Sequence, residues 1–159
     1  MKTLSNGISK IEKTLAIVLM FSMAAIVSMA VVFRYFLNSP LSWAGEVSIF
    51  LLIWITFIGG SLGLKYKSQA SVTILIEYVP EKIKRIILVF GHVLMLTFLF
   101  LVLYYSYTWI FSPGVSFQKS TATQIPMWIP FSAVPLGLTF ASIHIISNLL
   151  DIIRKGEQE

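Results

Sequence analysis

The chain has no cysteine and little charge. Without Cys, disulfides, thiolate metal sites and Cys nucleophiles are excluded. Charged residues make up 12% of its 159 residues, where soluble domains carry roughly 25%. Acidic and basic side chains are missing between Thr14 and Phe33, between Val47 and Lys65, from Ile86 to Phe111 apart from His92, and from Gln124 to Leu150 apart from His144. The lack of buried carboxylates or ammonium groups in these stretches argues against a stand-alone pump or proton-coupled drug exporter, which use intramembrane acids. No HExxH, P-loop or GxSxG motif supports hydrolytic chemistry. The net charge of +5 does not indicate nucleic acid, because the basic residues flank apolar runs instead of forming a patch.

What remains is apolar. Hydrophobic residues make up 57% of the chain, and mean hydropathy is +0.84. Each charge-free stretch is long enough, at about 1.5 Å per helical residue, to cross a hydrocarbon core of about 30 Å. The expected fold is an all-α membrane protein of four transmembrane helices. Residues 1–159 then form a single integral membrane domain, with spans near 14–34, 46–65, 84–111 and 126–153. Ser28-Met29-Ala30 is somewhat like a signal-peptide cleavage site, but the preceding apolar run of about twenty residues exceeds the usual h-region. The first stretch is therefore read as a retained span.

Charge asymmetry orients the bundle. Lys2, Lys10, Lys13, Lys65, Lys67, Lys82, Lys84, Arg85, Arg154 and Lys155 fall on one side, and Arg34 and Lys119 on the other. The positive-inside rule puts both termini in the cytoplasm. Trp43, Trp109 and Trp128 then lie at the opposite interface, where indoles anchor a helix at headgroup level, while Lys82, Lys84 and Arg85 anchor the third span at the cytoplasmic face. Between spans two and three, the segment from Ser71 to Pro80 is too short to cross. Its mixed composition suits an interfacial arm helix over about 70–80.

Asn38-Ser39-Pro40 ends the first span, and Ser42 is placed to cap the second, with Glu46 in its first turn. Arg34 and Glu46 are the opposite charges at this corner, and either pair with one another or snorkel separately to water. Gly59 and Gly63, and Ala133, Gly137 and Ala141, form small-residue stripes that let helices approach one another or a partner closely. Pro135 is expected to kink the fourth helix. His92 and His144 fall at comparable depths, so a cytochrome b-type anchor with one haem between them is an alternative. The other reading is two histidines hydrogen-bonded within the bundle.

The run Val32-Phe33-Arg34-Tyr35-Phe36-Leu37-Asn38-Ser39-Pro40-Leu41-Ser42-Trp43-Ala44-Gly45-Glu46 resembles the small membrane subunit of tripartite ATP-independent periplasmic (TRAP) transporters, the DctQ-like family. Gly59-Gly60-Ser61-Leu62-Gly63, Pro80-Glu81-Lys82, Ile125-Pro126-Met127-Trp128 and Ala133-Val134-Pro135-Leu136-Gly137 follow in matching order. Gly45 stands where family members often have a second acid. The arm lacks the His and Asp of a His-Val-x-Val-Asp-like stretch.

The resemblance implies a non-catalytic scaffold in a bacterial inner membrane, without substrate site or cofactor. Its partners would be a large membrane subunit carrying the substrate and sodium sites, a periplasmic binding protein delivering an organic anion such as a dicarboxylate or sialic acid, and membrane phospholipids. The large subunit would move as an elevator against the scaffold. On this reading Arg34 and Glu46 organise the periplasmic corner, and Gln118, Lys119 and Ser120 are the loop best placed to meet the binding protein.

Overall fold

The computed structural model describes residues 2–66 and 80–155. The expected arm lies outside the described residues except for Pro80, as does the side chain of Lys82. The helices are α1 (Lys2–Tyr35), α2 (Ala44–Lys65), α3 (Glu81–Ile110), the single turns α4 (Pro113–Ser116) and α5 (Trp128–Phe131), and α6 (Ala133–Lys155). Among the described residues, four segments are long and apolar enough to cross a membrane: Thr3–Tyr35, Ala44–Lys65, Ile83–Ile110 and Trp128–Arg154. The chain is thus an all-α, multi-pass membrane protein.

The spans form a row in which α2 and α6 are the inner pair. α1 packs on the outer side of α2, and α3 on the outer side of α6. The stripe Ala133, Gly137, Ala141 explains the central place of α6. Ala133 and Ala141 are buried. A Cβ on Gly137 would lie 2.7 Å from Phe57 Cβ and 3.0 Å from its carbonyl oxygen. Hydrogen at this position therefore permits the closest approach of α6 to α2, as expected where packing alone drives association in lipid. The other stripe behaves differently. Gly59 is exposed, and among the described residues nothing lies within 4 Å of its Cβ position. Gly63 is half-buried.

The fourth span is divided into two helical segments at Ser132. α5 ends at Phe131; Ser132 N–H donates to Trp128 O at 2.9 Å and Ser132 O accepts from Leu136 N–H at 3.2 Å, so helical bonding runs on into α6. Pro130 lies within α5, while Pro135 falls in the first turn of α6, where its missing N–H is tolerated.

At the other side of this end, Asn38 takes a left-handed φ of 47°, and Ser39 N–H reaches back to Phe33 O at 3.1 Å. This is the closure of a helix C-terminus, with Asn in the role usually given to Gly. Ser42 does not cap α2: the cap position is Trp43, without a side-chain cap bond.

α1 also begins earlier than the expected boundary at residue 14. Ser5, Ser9 and Glu12 repeat at helical spacing, and all three are buried. Its apolar stretch, in contrast, has no buried residues. The first helix is therefore held to the bundle by a polar foot and by a half-buried apolar stripe (Leu15, Leu19, Met23 and Ile26) along α2, and the rest of its hydrocarbon surface is turned outward.

Arg85 joins the start of α3 to the end of α6. Its Nη2 donates to Ile153 O at 2.7 Å, placing a cation on a C-terminal carbonyl with the favourable sign for the helix dipole. Arg85→Ala should free the last turn of α6 at a cost of about 0.3–1 kcal/mol. Faster amide hydrogen exchange at residues 150–155 with the helix midsection unchanged is the expected result. Unaltered exchange there would remove this role.

Candidate functional site

The Arg34–Glu46 pairing expected from the sequence is not what the structure contains. No ion pair joins these two described residues. The Arg34 guanidinium lies over the Tyr35 ring, 5.8 Å from its centroid. Glu46 is engaged instead by the connection that follows α4. Thr121 N–H donates to Oε1 at 3.2 Å, Ala122 N–H to both oxygens at 3.1 and 3.0 Å, and Thr123 N–H to Oε2 at 3.2 Å. The hydroxyls of Ser120 and Thr121 complete the set, donating to Oε2 and Oε1. Consecutive backbone N–H groups curved round one anion form a nest. A nest satisfies a carboxylate more fully than a single guanidinium on a long, mobile side chain, which explains the choice of partner.

The loop is built to present those donors. Lys119 and Pro126 face one another across an antiparallel bridge. Ser120 N–H donates to Ile125 O at 2.9 Å, and Met127 N–H to Gln118 O at 2.9 Å. The chain reverses through Gln124, whose φ is 56° and whose Nε2 donates to Thr121 O at 3.1 Å. Thr123 Oγ1 lies 2.7 Å from Ser120 Oγ. Ser120 is thereby buried, while Gln118 and Lys119 are exposed beside it. Of the three residues expected to meet a partner, only Gln118 and Lys119 are on the surface. The sequence signal for the nest was the run Ser120-Thr121-Ala122-Thr123, rich in hydroxyls and short of bulk.

Trp43, Trp109 and Trp128 are partly exposed around this site. Trp109 also packs on Phe131, with ring centroids 4.9 Å apart. Lys84 and Arg85 sit in the first turns of α3 at the opposite end.

The histidines are not arranged for haem. His144 is fully buried, with Ser5 Oγ 2.7 Å from its Nδ1 and Glu12 Oε2 2.8 Å from its Nε2. With both nitrogens taken, neither is free to ligate iron. His92 Nδ1 lies 2.8 Å from Leu88 O on its own helix. Ser5, Glu12 and Lys65 are members of a polar cluster that residue types alone did not mark. Its signal was the helical spacing of Ser5, Ser9 and Glu12 ahead of the first charge-free run.

Residues 23–155 match the family described as tripartite ATP-independent periplasmic transporters, DctQ component. The chain belongs to this family. A protein of Haemophilus influenzae named as a TRAP transporter small permease is 31% identical over 153 residues, covering 96% of this chain and 88% of the relative. The C4-dicarboxylate TRAP transporter small permease protein DctQ of Vibrio cholerae is 22% identical, covering 90% of this chain and 71% of its own. The isethionate TRAP transporter permease protein DctMQ of Oleidesulfovibrio alaskensis is 24% identical over 149 residues, 90% of this chain but 24% of that one. As a DctQ component the chain is part of a transporter and not an enzyme, and the cytochrome reading falls away.

Proposed function

We propose that this chain is the fixed scaffold subunit of a sodium-driven TRAP transporter in a bacterial inner membrane. It supports a large elevator-type membrane subunit that takes up an organic anion, such as a dicarboxylate or sialic acid, delivered by a periplasmic binding protein. The observation that carries this reading is the outward-facing hydrocarbon surface of α1 on a chain of the DctQ family. Ile17, Met20 and Phe21 on that surface are each 60% exposed or more, which suits a helix covered by lipid and a larger membrane partner. The relative named DctMQ is about four times the length of the matched segment, consistent with small and large subunits in one chain. The polar faces expected of a substrate path are lacking from the apolar stretches, so the anion and sodium sites belong to the large subunit.

The basic ends orient the chain with both termini in the cytoplasm and the Glu46 nest in the periplasm. There Glu46 holds the loop so that Gln118 and Lys119 stand clear of the membrane for the binding protein. The exposed indoles keep this corner at headgroup depth, and phospholipids fill the rest of the perimeter.

Co-purification from mild detergent tests the scaffold reading. One large multi-span protein in about equal amount is expected, with uptake on reconstitution requiring both. Recovery of the chain alone, or with respiratory subunits, would overturn it. Because the chain has no cysteine, Gln118→Cys and Gln158→Cys serve as single labels for orientation. A membrane-impermeant maleimide added to intact spheroplasts should label the first and spare the second. The reverse pattern would invert the topology.

A further inference from the structure

We propose that the early turns of α1 carry a binding site for an anionic phospholipid, with Lys10 holding the phosphate and a groove beside it holding the first part of an acyl chain. The groove has a volume of about 450 Å³ and is lined by Lys10, Ile11, Thr14, Leu15 and Val18. These positions follow one another at i, i+1, i+4, i+5 and i+8, which is one face of a helix.

The order of side chains along that face is the order of groups in a phospholipid. The cation comes first. Thr14 follows, and its hydroxyl donates back to Lys10 O at 3.1 Å, so its proton stays within the helix. Leu15 and Val18 then continue the lining with hydrocarbon. Ile11 and Val18 are 67% and 55% exposed, so among the described residues this face is open.

The depth agrees. Lys10 and Arg34 lie on the same helix, separated by about 36 Å at about 1.5 Å per residue. A hydrocarbon core of about 30 Å fits between them. With Arg34 at one headgroup layer, Lys10 falls in the other, and Val18 lies about 12 Å further into the bilayer than Lys10. A free phosphate would use the cation alone, and an uncharged chain the groove alone. A phosphate-bearing lipid uses both. A headgroup of net negative charge is favoured over a zwitterionic one, whose own cation competes with Lys10 for the phosphate.

Lys10 is the cation left for this task. Lys13 lies over the Tyr66 ring, 4.9 Å from its centroid. Lys65 donates to Ser5 O and Asn6 Oδ1, each at 2.9 Å, and to Ser9 Oγ. Glu12, the acid nearest in sequence, is buried with His144 Nε2 2.8 Å from its Oε2 and does not neutralise Lys10. Among the described residues no hydrogen bond or ion pair takes up the Lys10 ammonium. A lysine held at headgroup depth, with its stem along apolar surface, draws anionic lipid to it. The orientation proposed above makes this the cytoplasmic leaflet, but the chemistry of the site does not depend on that orientation.

Native mass spectrometry of the full chain, released from mild detergent after addition of phosphatidylglycerol or phosphatidylcholine, tests the site. The parent chain should retain phosphatidylglycerol in preference. Lys10→Gln should lower that preference about fivefold, equivalent to about 1 kcal/mol for one cation at a membrane surface, and Lys10→Arg should keep it. Lys13→Gln should also keep it, because Lys13 is turned to Tyr66. Thr14→Trp, which fills the groove, should reduce retention of both lipids. An unchanged preference in Lys10→Gln, or an equal fall in Lys13→Gln, would overturn the proposal. Displacement of phosphatidylglycerol by inorganic phosphate would do the same, marking a simple anion site. So would loss of the lipid from the chain bound to its large subunit while the chain alone retains it, which would give the groove to that subunit.

Discussion

Glu46→Ala is expected to release the loop between α4 and α5 and to reduce uptake by the assembled transporter several-fold. The carboxylate is the common acceptor for two hydroxyls and three successive backbone N–H groups. No other side chain could replace it in one step. Water would resolvate the exposed N–H groups, so the chain should still insert and fold. The loss should appear as faster hydrogen exchange at Thr121–Thr123 and greater cleavage there by added protease. Glu46→Gln should be intermediate, because its amide nitrogen would face donors with a further donor. Glu46→Arg should be worst, placing a cation against the nest. Adding Arg34→Glu to Glu46→Arg should not restore function, because Arg34 is not the native partner of Glu46. Recovery in that double variant would mean that charge pairing across the corner, and not the nest, is what the transporter uses. Normal uptake by Glu46→Ala would remove the loop from the mechanism.

Gly137→Leu should be the most damaging single change in the apolar core. A Cβ at this position would meet the Phe57 backbone as well as its side chain: 2.7 Å to Cβ, 3.0 Å to the carbonyl oxygen and 3.1 Å to the carbonyl carbon. Backbone cannot rotate aside as a side-chain tip can, so α2 and α6 must separate along their length. Overpacking of this kind costs about 1–3 kcal/mol, or roughly 2–12 °C in midpoint for a chain of this size class. Gly137→Ala should show a smaller fall in the same direction. Gly59→Leu provides the contrast, because that position faces open space within the chain. If Gly59→Leu leaves the midpoint of the isolated chain unchanged but lowers recovery with the large subunit, Gly59 lies on the intersubunit face. An unchanged midpoint for Gly137→Leu would show that the two helices do not depend on that approach.

The long absences of charge determined the four spans, because no ionised group is cheaply placed in hydrocarbon and no backbone can cross it except fully hydrogen-bonded. Charge-free runs do not say where a helix begins, and α1 extends back to Lys2 through mostly polar residues. Ser5, Ser9 and Glu12 in fact face inward on the helix, and only the position of His144 on α6 explains why a glutamate can be buried there. The same limit applied to Glu46. Sequence placed a carboxylate at the first turn of α2 and a cation nearby, and charge alone suggested pairing. The choice of partner depended on the fold of a loop some seventy-five residues away, which turns three N–H groups toward one point. Small-residue spacing marked both glycine stripes, but spacing cannot say which side of a helix meets a neighbour. In lipid, where every side of a helix can be apolar, composition determines that a segment crosses. Only the packing of α6 against α2 decided that Gly137 is buried and Gly59 is not.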